Sequence, residues 1–189
     1  MEVYLIRHTT PDIKKGICYG QSDLNLADTF SKEFKAIEEQ IPNNKSYSIK
    51  SSPLKRCALL AEHLGNPVLF DDRLKEFDFG NWEMKSWDNI PKDELNLWMK
   101  DFVNFKVPNG ESYTDLASRV LNFFEDIINS NSEQDLIIVT HAGPMRAFLA
   151  SILNIPLEKS FDIKIQYGDV FHLKKDGNSW KLLSEIALE

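Results

Sequence analysis

The sequence predicts an α/β chain built as a three-layer sandwich, with a mainly parallel central sheet and helices on both faces. Three observations carry that expectation. Strand-like and helix-like patterns alternate along the chain, the order in which parallel strands are laid down with crossover helices. Two of the strand-like stretches, "VYLI" at 3–6 and "LIIV" at 136–139, are continuous apolar runs, as strands covered on both faces are. Both runs end on a polar residue followed by histidine, Arg7-His8 and Thr140-His141. In open α/β sheets, ligands sit beyond that end of the strands.

Each element follows from its local pattern. Residues 2–7 read as the first, buried strand. In "LADTFSKEFKAIEEQI" (26–41), Leu26, Phe30, Phe34, Ile37 and Ile41 fall on one helical stripe. "SYSIKSS" is a short second strand. "SSPLKRCALLAEHLG" predicts a helix with Ser52 as N-cap, Pro53 in the first helical position and Gly65 as the stop. "NPVLF" is a third, edge-like strand. A helix is expected around "KDELNLWMKDFVNF", and a long amphipathic one over "SYTDLASRVLNFFEDIINS". "QDLIIVTHAG" is a strand and "PMRAFLASILNI" the helix after it. In the tail, "YGDVFHLKKDGNSWKLLSEIAL", the turn signal Asp176-Gly177 between alternating runs predicts a hairpin. No repeat or linker interrupts the pattern, so residues 1–189 are expected to form one domain. A small cap-like, irregular and helical segment is expected at about 82–110.

Composition bounds the partners. The chain holds 22 basic and 29 acidic residues, a net charge of −7, and 42% hydrophobic residues. An acidic surface argues against non-specific binding to nucleic acid or to anionic membranes. It leaves room for an anionic small molecule in a locally positive pocket. No run approaches the ~18 apolar residues of a membrane span, and no secretory signal is visible, so a cytoplasmic location is expected. The two cysteines, Cys18 and Cys57, have no metal-ligand spacing and read as buried small hydrophobes. Oligomeric state is not legible.

The candidate chemistry gathers at the strand ends. His8 and His141 stand there, whereas His63, inside a helix, and His172, in the hairpin, read as structural. Arg7 adjoins His8, and Arg56 lies in the first turn of a helix whose free N–H groups and dipole favour an anion. An arginine fork suits phosphate oxygens. Two arginines and two histidines at one crevice therefore point to a phosphoryl group. Its ester oxygen needs a proton on leaving, and "LKEFDFGNWEM" offers Glu76, Asp78 and Glu83. HExxH, CxxC and the GxxxxGK[ST] loop are all absent, so no metal, cofactor or nucleotide is expected.

These residues resemble the histidine phosphatase (phosphoglycerate mutase-like) superfamily. The resemblance runs through "LIRHTT", "SSPLKRCALLAEHL", "LKEFDFGNWE", "PNGES" and "VTHAG" in order, over most of the chain. It implies a phosphoglycerate mutase-like fold and a metal-independent phosphomonoester hydrolase. His8 would become a transient phosphohistidine, with Arg7, Arg56 and His141 around the phosphoryl oxygens. Glu76 would serve as proton donor, with Glu83 the alternative. Thr9 replaces the usual glycine, and Lys14 replaces an asparagine that binds phosphate in many members; Gln21 is the candidate substitute. The loop "ICYGQSDL", with "EFDFGNWE" and "PNGES", looks most like the α-ribazole phosphatase branch, which acts on α-ribazole 5′-phosphate in cobalamin biosynthesis. The alternatives are a broad-specificity small-molecule phosphatase, a phosphoglycerate mutase, or a regulatory module that binds phosphorylated proteins.

Overall fold

The structure is a computed structural model, and residues 1–187 are described here. Six strands form one sheet: β1 (Glu2–Arg7), β2 (Ser48–Ser51), β3 (Val68–Phe70), β4 (Leu136–Thr140), β5 (Val170–Asp176) and β6 (Ser179–Leu182). Their spatial order is β3-β2-β4-β1-β5-β6. The first four in that order pair in parallel, while β5 and β6 are antiparallel. The mainly parallel expectation holds, with β3 at the edge and the tail hairpin closing the other side. Residue 188, the last of the tail stretch, lies outside the described residues.

The helices are α1 (Phe30–Glu38), α2 (Lys55–Leu64), α3 (Lys92–Lys100), α4 (Tyr113–Asn129) and α5 (Ala142–Ile152). Strand alternation sorts them onto two faces. Tyr4 and Ile6 of β1, with Ile137 and Val139 of β4, pack against Phe34 and Ile37 of α1 and Leu60 and Ala61 of α2. The intervening Val3, Leu5, Leu136 and Ile138 pack against Leu116, Val120 and Phe123 of α4 and Met145, Phe148 and Leu149 of α5. The continuous apolar runs are therefore needed, because each strand is covered on both sides.

Several element boundaries differ from the sequence expectation, each for a local reason. Leu26 and Ile41 lie outside α1. The segment before it is instead tied to the loop after β1, through Ala27 N to Thr10 O at 3.0 Å and Asp12 N to Asn25 O at 2.9 Å. Ser52 is not the N-cap of α2; that position is Leu54, and Asp23 caps the helix from another loop by accepting from Lys55 N at 2.7 Å. α3 stops at Lys100 because the Asp101 carboxylate takes the N–H of Asn104, a turn that competes with the helix. α4 begins at a capping box between Ser112 and Asp115. α5 begins two residues before Pro144, which sits in its first turn.

Candidate active site

Arg7 pairs with Thr140 in the parallel ladder, so His8 and His141 leave neighbouring strands at the same level. His8 N donates to Thr140 O at 3.0 Å, and the strand ends are knitted further by Ser52 N to Val139 O at 3.0 Å. The two imidazoles face each other with ring centroids 4.9 Å apart. Nδ1 of His8 lies 2.7 Å from Thr9 O. That contact places the proton on Nδ1 and leaves Nε2 with its lone pair, the tautomer a nucleophile requires.

Arg56 donates from Nε to Nε2 of His8 at 3.3 Å, while its terminal nitrogens hold Ser22 O at 2.8 Å and Gly20 O at 2.5 Å. Arg7 is fixed by Ile165 O at 2.8 Å and by the face of Tyr167, 3.9 Å from its guanidinium carbon. Among the described residues, its Nε has no partner, and neither does the buried hydroxyl of Thr9. Nε2 of His141 contacts Ser52 Oγ at 2.8 Å and Cys57 Sγ at 3.3 Å. Ser52, expected as a helix cap, thus orients this histidine. Burial, followed by the charges of Arg56 and Arg7, pushes the His8 pKa well below the ordinary 6.5. The His141 pKa is lowered in the same way, by burial first and then by Arg56 and His8.

Glu76 sits at the N-terminus of α5. Its Oε1 accepts from Gly143 N at 3.1 Å and from its own neighbour Phe77 N at 2.9 Å. The free N–H groups and positive end of the helix hold the carboxylate there. A Cβ at Gly143 would stand 2.2 Å from Glu76 Oε1, so a side chain there would displace the carboxylate. Glu83 meets other partners. Its carboxylate accepts from Gln21 N at 2.7 Å, Ser22 N at 2.6 Å and the Ser22 hydroxyl, and so ties down the loop that Arg56 also grips. Gln21 donates its side-chain amide to Glu76 O at 3.1 Å, bracing the acid's backbone. Lys14 is exposed, and Asp78 accepts from Gly80 N at 2.9 Å as a turn residue.

Sequence reasoning missed the support beneath Glu76. Arg119 of α4 donates to Arg73 O, Lys75 O and Glu76 O at 2.8, 2.7 and 3.0 Å, and pairs with Glu111 at 2.6 Å. Glu111 in turn accepts from Asp78 N at 3.0 Å. The glutamate of "PNGES", Glu111, is the one trace of it in the sequence. His63 stands beside Glu38 at 3.4 Å, and His172 is stacked on Tyr4.

A cavity of about 200 Å³ opens beside these residues, walled by Arg7, Glu76, Gly143 and Arg146 and by a ring of aromatics that includes Phe79, Trp98 and Phe161. Trp82 is fully buried against Trp87, Trp98 and Phe105, so the tryptophans of the 82–110 segment mainly pack on one another. Trp98 alone of the three also reaches the cavity. Among the described residues, no helix is long and apolar enough to cross a membrane. Among the same residues, no three His, Cys, Asp or Glu side chains are grouped as a metal site needs.

Comparison with known proteins agrees with this geometry. A family model described as the histidine phosphatase superfamily (branch 1) matches residues 3–186. Phosphoserine phosphatase 1 of Hydrogenobacter thermophilus is 26% identical over 188 residues, covering 94% of this chain and 89% of that protein. The crystal structure of the α-ribazole phosphatase from Shigella flexneri superposes with a TM-score of 0.88 at 21% identity, over 100% of this chain and 96% of the other. A mutant phosphoserine phosphatase from Entamoeba histolytica, in complex with phosphoserine, gives 0.83 at 19% identity, over 97% and 95%. At these identities the two structural likenesses establish the fold.

Proposed function

This chain is a phosphatase belonging to the histidine phosphatase superfamily (branch 1), and we propose that it hydrolyses phosphomonoesters through a phosphohistidine at His8, with α-ribazole 5′-phosphate as its substrate in cobalamin biosynthesis. The observation that carries the chemistry is the 2.7 Å contact of His8 Nδ1 with Thr9 O. A carbonyl accepts, so the proton belongs on Nδ1 and Nε2 keeps its lone pair, with Arg56 approaching from one side. In the first step Nε2 forms a bond to phosphorus as the ester P–O bond breaks, and Glu76 gives its proton to the departing oxygen. In the second, Glu76 takes a proton from water, whose oxygen attacks phosphorus and breaks the P–N bond, releasing inorganic phosphate and restoring His8. Arg7, Arg56 and His141 are placed to stabilise charge on the phosphoryl oxygens in both steps.

The aromatic walls of the cavity support a substrate with a flat heteroaromatic part, as α-ribazole has. On this reading, residues 82–110 are the cap of a single domain and supply part of that wall. A second reading, phosphoserine, is favoured by Arg146. This half-buried cation on the cavity wall has no carboxylate within ion-pair distance among the described residues, and a substrate carboxylate would fill that role.

The test is kcat/KM on α-ribazole 5′-phosphate, phosphoserine and 3-phosphoglycerate, with His8→Ala as blank. A preference of about a hundredfold for the ribazole ester, lost in the variant, is expected, since discrimination by fit in an apolar pocket is worth on that order. Preference for phosphoserine selects the second reading. Activity on every ester at one level makes the enzyme a broad-specificity phosphatase. Trapping of phosphorylated His8 separates all three from a binding module, which forms none.

A further inference from the structure

We propose that Tyr19 and Tyr167 form a gate over His8, two positioning residues whose hydroxyl–hydroxyl bond closes the phosphoryl site and parts to admit an ester. The catalytic meaning of the gate rests on His8 as nucleophile. Its existence rests on geometry alone.

The two phenol oxygens are 2.5 Å apart, joining the loop after β1 to the turn before β5. Each ring covers one of the site's cations: Tyr167 lies 3.9 Å from the guanidinium carbon of Arg7, and Tyr19 lies 5.6 Å from that of Arg56. The Tyr167 ring also stands 5.5 Å from the ring of His8. Beneath this pair the site is shut. His8 is 1% exposed, and Arg56 and His141 are 0% exposed. The cavity wall includes Arg7, Tyr19 and Glu76, yet none of those three buried residues lies on it. A phosphate ester standing in the cavity therefore meets the proton donor and one arginine without reaching Nε2.

The two sides of the gate are unequal. Tyr19 is held in a fixed frame: Cys18 N donates to Lys85 O and Met84 N to Cys18 O, both at 2.8 Å, and Arg56 grips Gly20 O. Tyr167 is 37% exposed and is followed by Gly168, whose φ of +77° gives that turn a left-handed step. Gly168 N donates to His8 O at 3.3 Å, which fixes the backbone of the turn and leaves the Tyr167 side chain to move. The Tyr167 ring is thus the leaf that swings, and its motion uncovers His8. Burial and the bond to Tyr167 raise the Tyr19 pKa, so its proton stays available for the closed state.

Carbethoxylation by diethyl pyrocarbonate reads the gate directly, because the reagent attacks neutral imidazole nitrogen and needs access to it. His63, 42% exposed at its side chain, serves as the reference in the same molecule. Rates at each histidine are followed by mass spectrometry at neutral pH in the resting protein, Tyr167→Phe and Tyr19→Phe. Both variants keep the ring over its arginine and delete the bond between hydroxyls. If His8 reacts only through the open state, each should speed its modification about threefold to tenfold, the population shift expected for one lost hydrogen bond, with His63 unchanged. An unchanged His8 rate in both variants, or a rise shared equally by all histidines, overturns the gate. The readout needs no turnover, so a chain silent on every ester would sink the functional reading and leave this result standing.

Discussion

Arg56 touches Nε2 of His8 with the same guanidinium that grips the carbonyls of Gly20 and Ser22. One side chain therefore sets the charge beside His8 and the position of the loop above it. Arg56→Met should lower kcat/KM by about 10²–10³, the usual cost of removing one preorganised donor. It should also move the acid limb of the pH–rate profile upward, since a cation that lowers the His8 pKa has gone. A profile whose limb does not move would separate the guanidinium from the electrostatics of His8.

The wild-type profile carries its own expectation. With the His8 pKa lowered by burial and two arginines, the proposed nucleophile stays neutral below pH 6.5, and the acid limb of kcat/KM should fall below that value. Stability follows the same sign. His8 and His141 are held neutral in the folded chain, so as pH drops below 6.5 the unfolded chain takes up protons first. Their contribution is complete above 6.5 and drains as pH falls through the lowered folded values. Urea midpoints at pH 7.5 and 5.5 check this: the lower pH should give the lower midpoint, and His8→Ala should flatten the difference.

Gly143→Ala should damage activity more than stability. The new methyl would stand 2.2 Å from Glu76 Oε1 and push the carboxylate off the helix N-terminus. A fall in kcat of about 10²-fold with a nearly unchanged melting temperature is expected, comparable to the loss of a positioned acid. Equal loss of both would mean that the backbone, rather than the carboxylate, yields.

The two glutamates of the central loop should separate cleanly. Glu76→Gln keeps the shape but loses the transferable proton, so kcat should fall while the denaturation midpoint holds. In Glu83→Gln a carboxylate that accepts from three backbone N–H groups and a hydroxyl becomes a weaker, half-donating amide. That variant should lose about 1–3 kcal/mol of stability and raise KM through the loosened loop. Reversal of the two patterns would make Glu83 the proton donor.

Arg119→Met tests the support beneath the acid. The side chain satisfies three carbonyls on residues 73–76 and pairs with Glu111, with both partners under 20% exposed at the side chain. Its removal should cost about 3 kcal/mol in urea denaturation and lower kcat as Glu76 loses its frame.

How much of this was legible follows from how local each signal is. Strands ending in Arg7-His8 and Thr140-His141 declared themselves, because a parallel strand buried on both faces cannot carry such residues until it leaves the sheet. Arg56 could be placed at the site because its helix begins where β2 ends. The roles of Ser52 and Asp23 were hidden. Ser52 carries the local pattern of a cap, yet its hydroxyl meets a histidine from another strand, and the cap comes from a loop about 30 residues away. Glu83, Gln21 and Arg119 were hidden for the same reason: their partners are fixed by tertiary packing, to which a linear pattern is blind.

The pairing of Arg7 with Thr140 has a temporal consequence. His8 is synthesised well before β4, and His141 and the helix terminus that holds Glu76 appear only when translation has passed residue 143. Until then β1 has no central partner, and its apolar run is a bare edge seeking one. A nascent chain halted before β4 should therefore carry His8 without phosphatase activity, and activity should arise late and all at once as that strand slides in between β1 and β2.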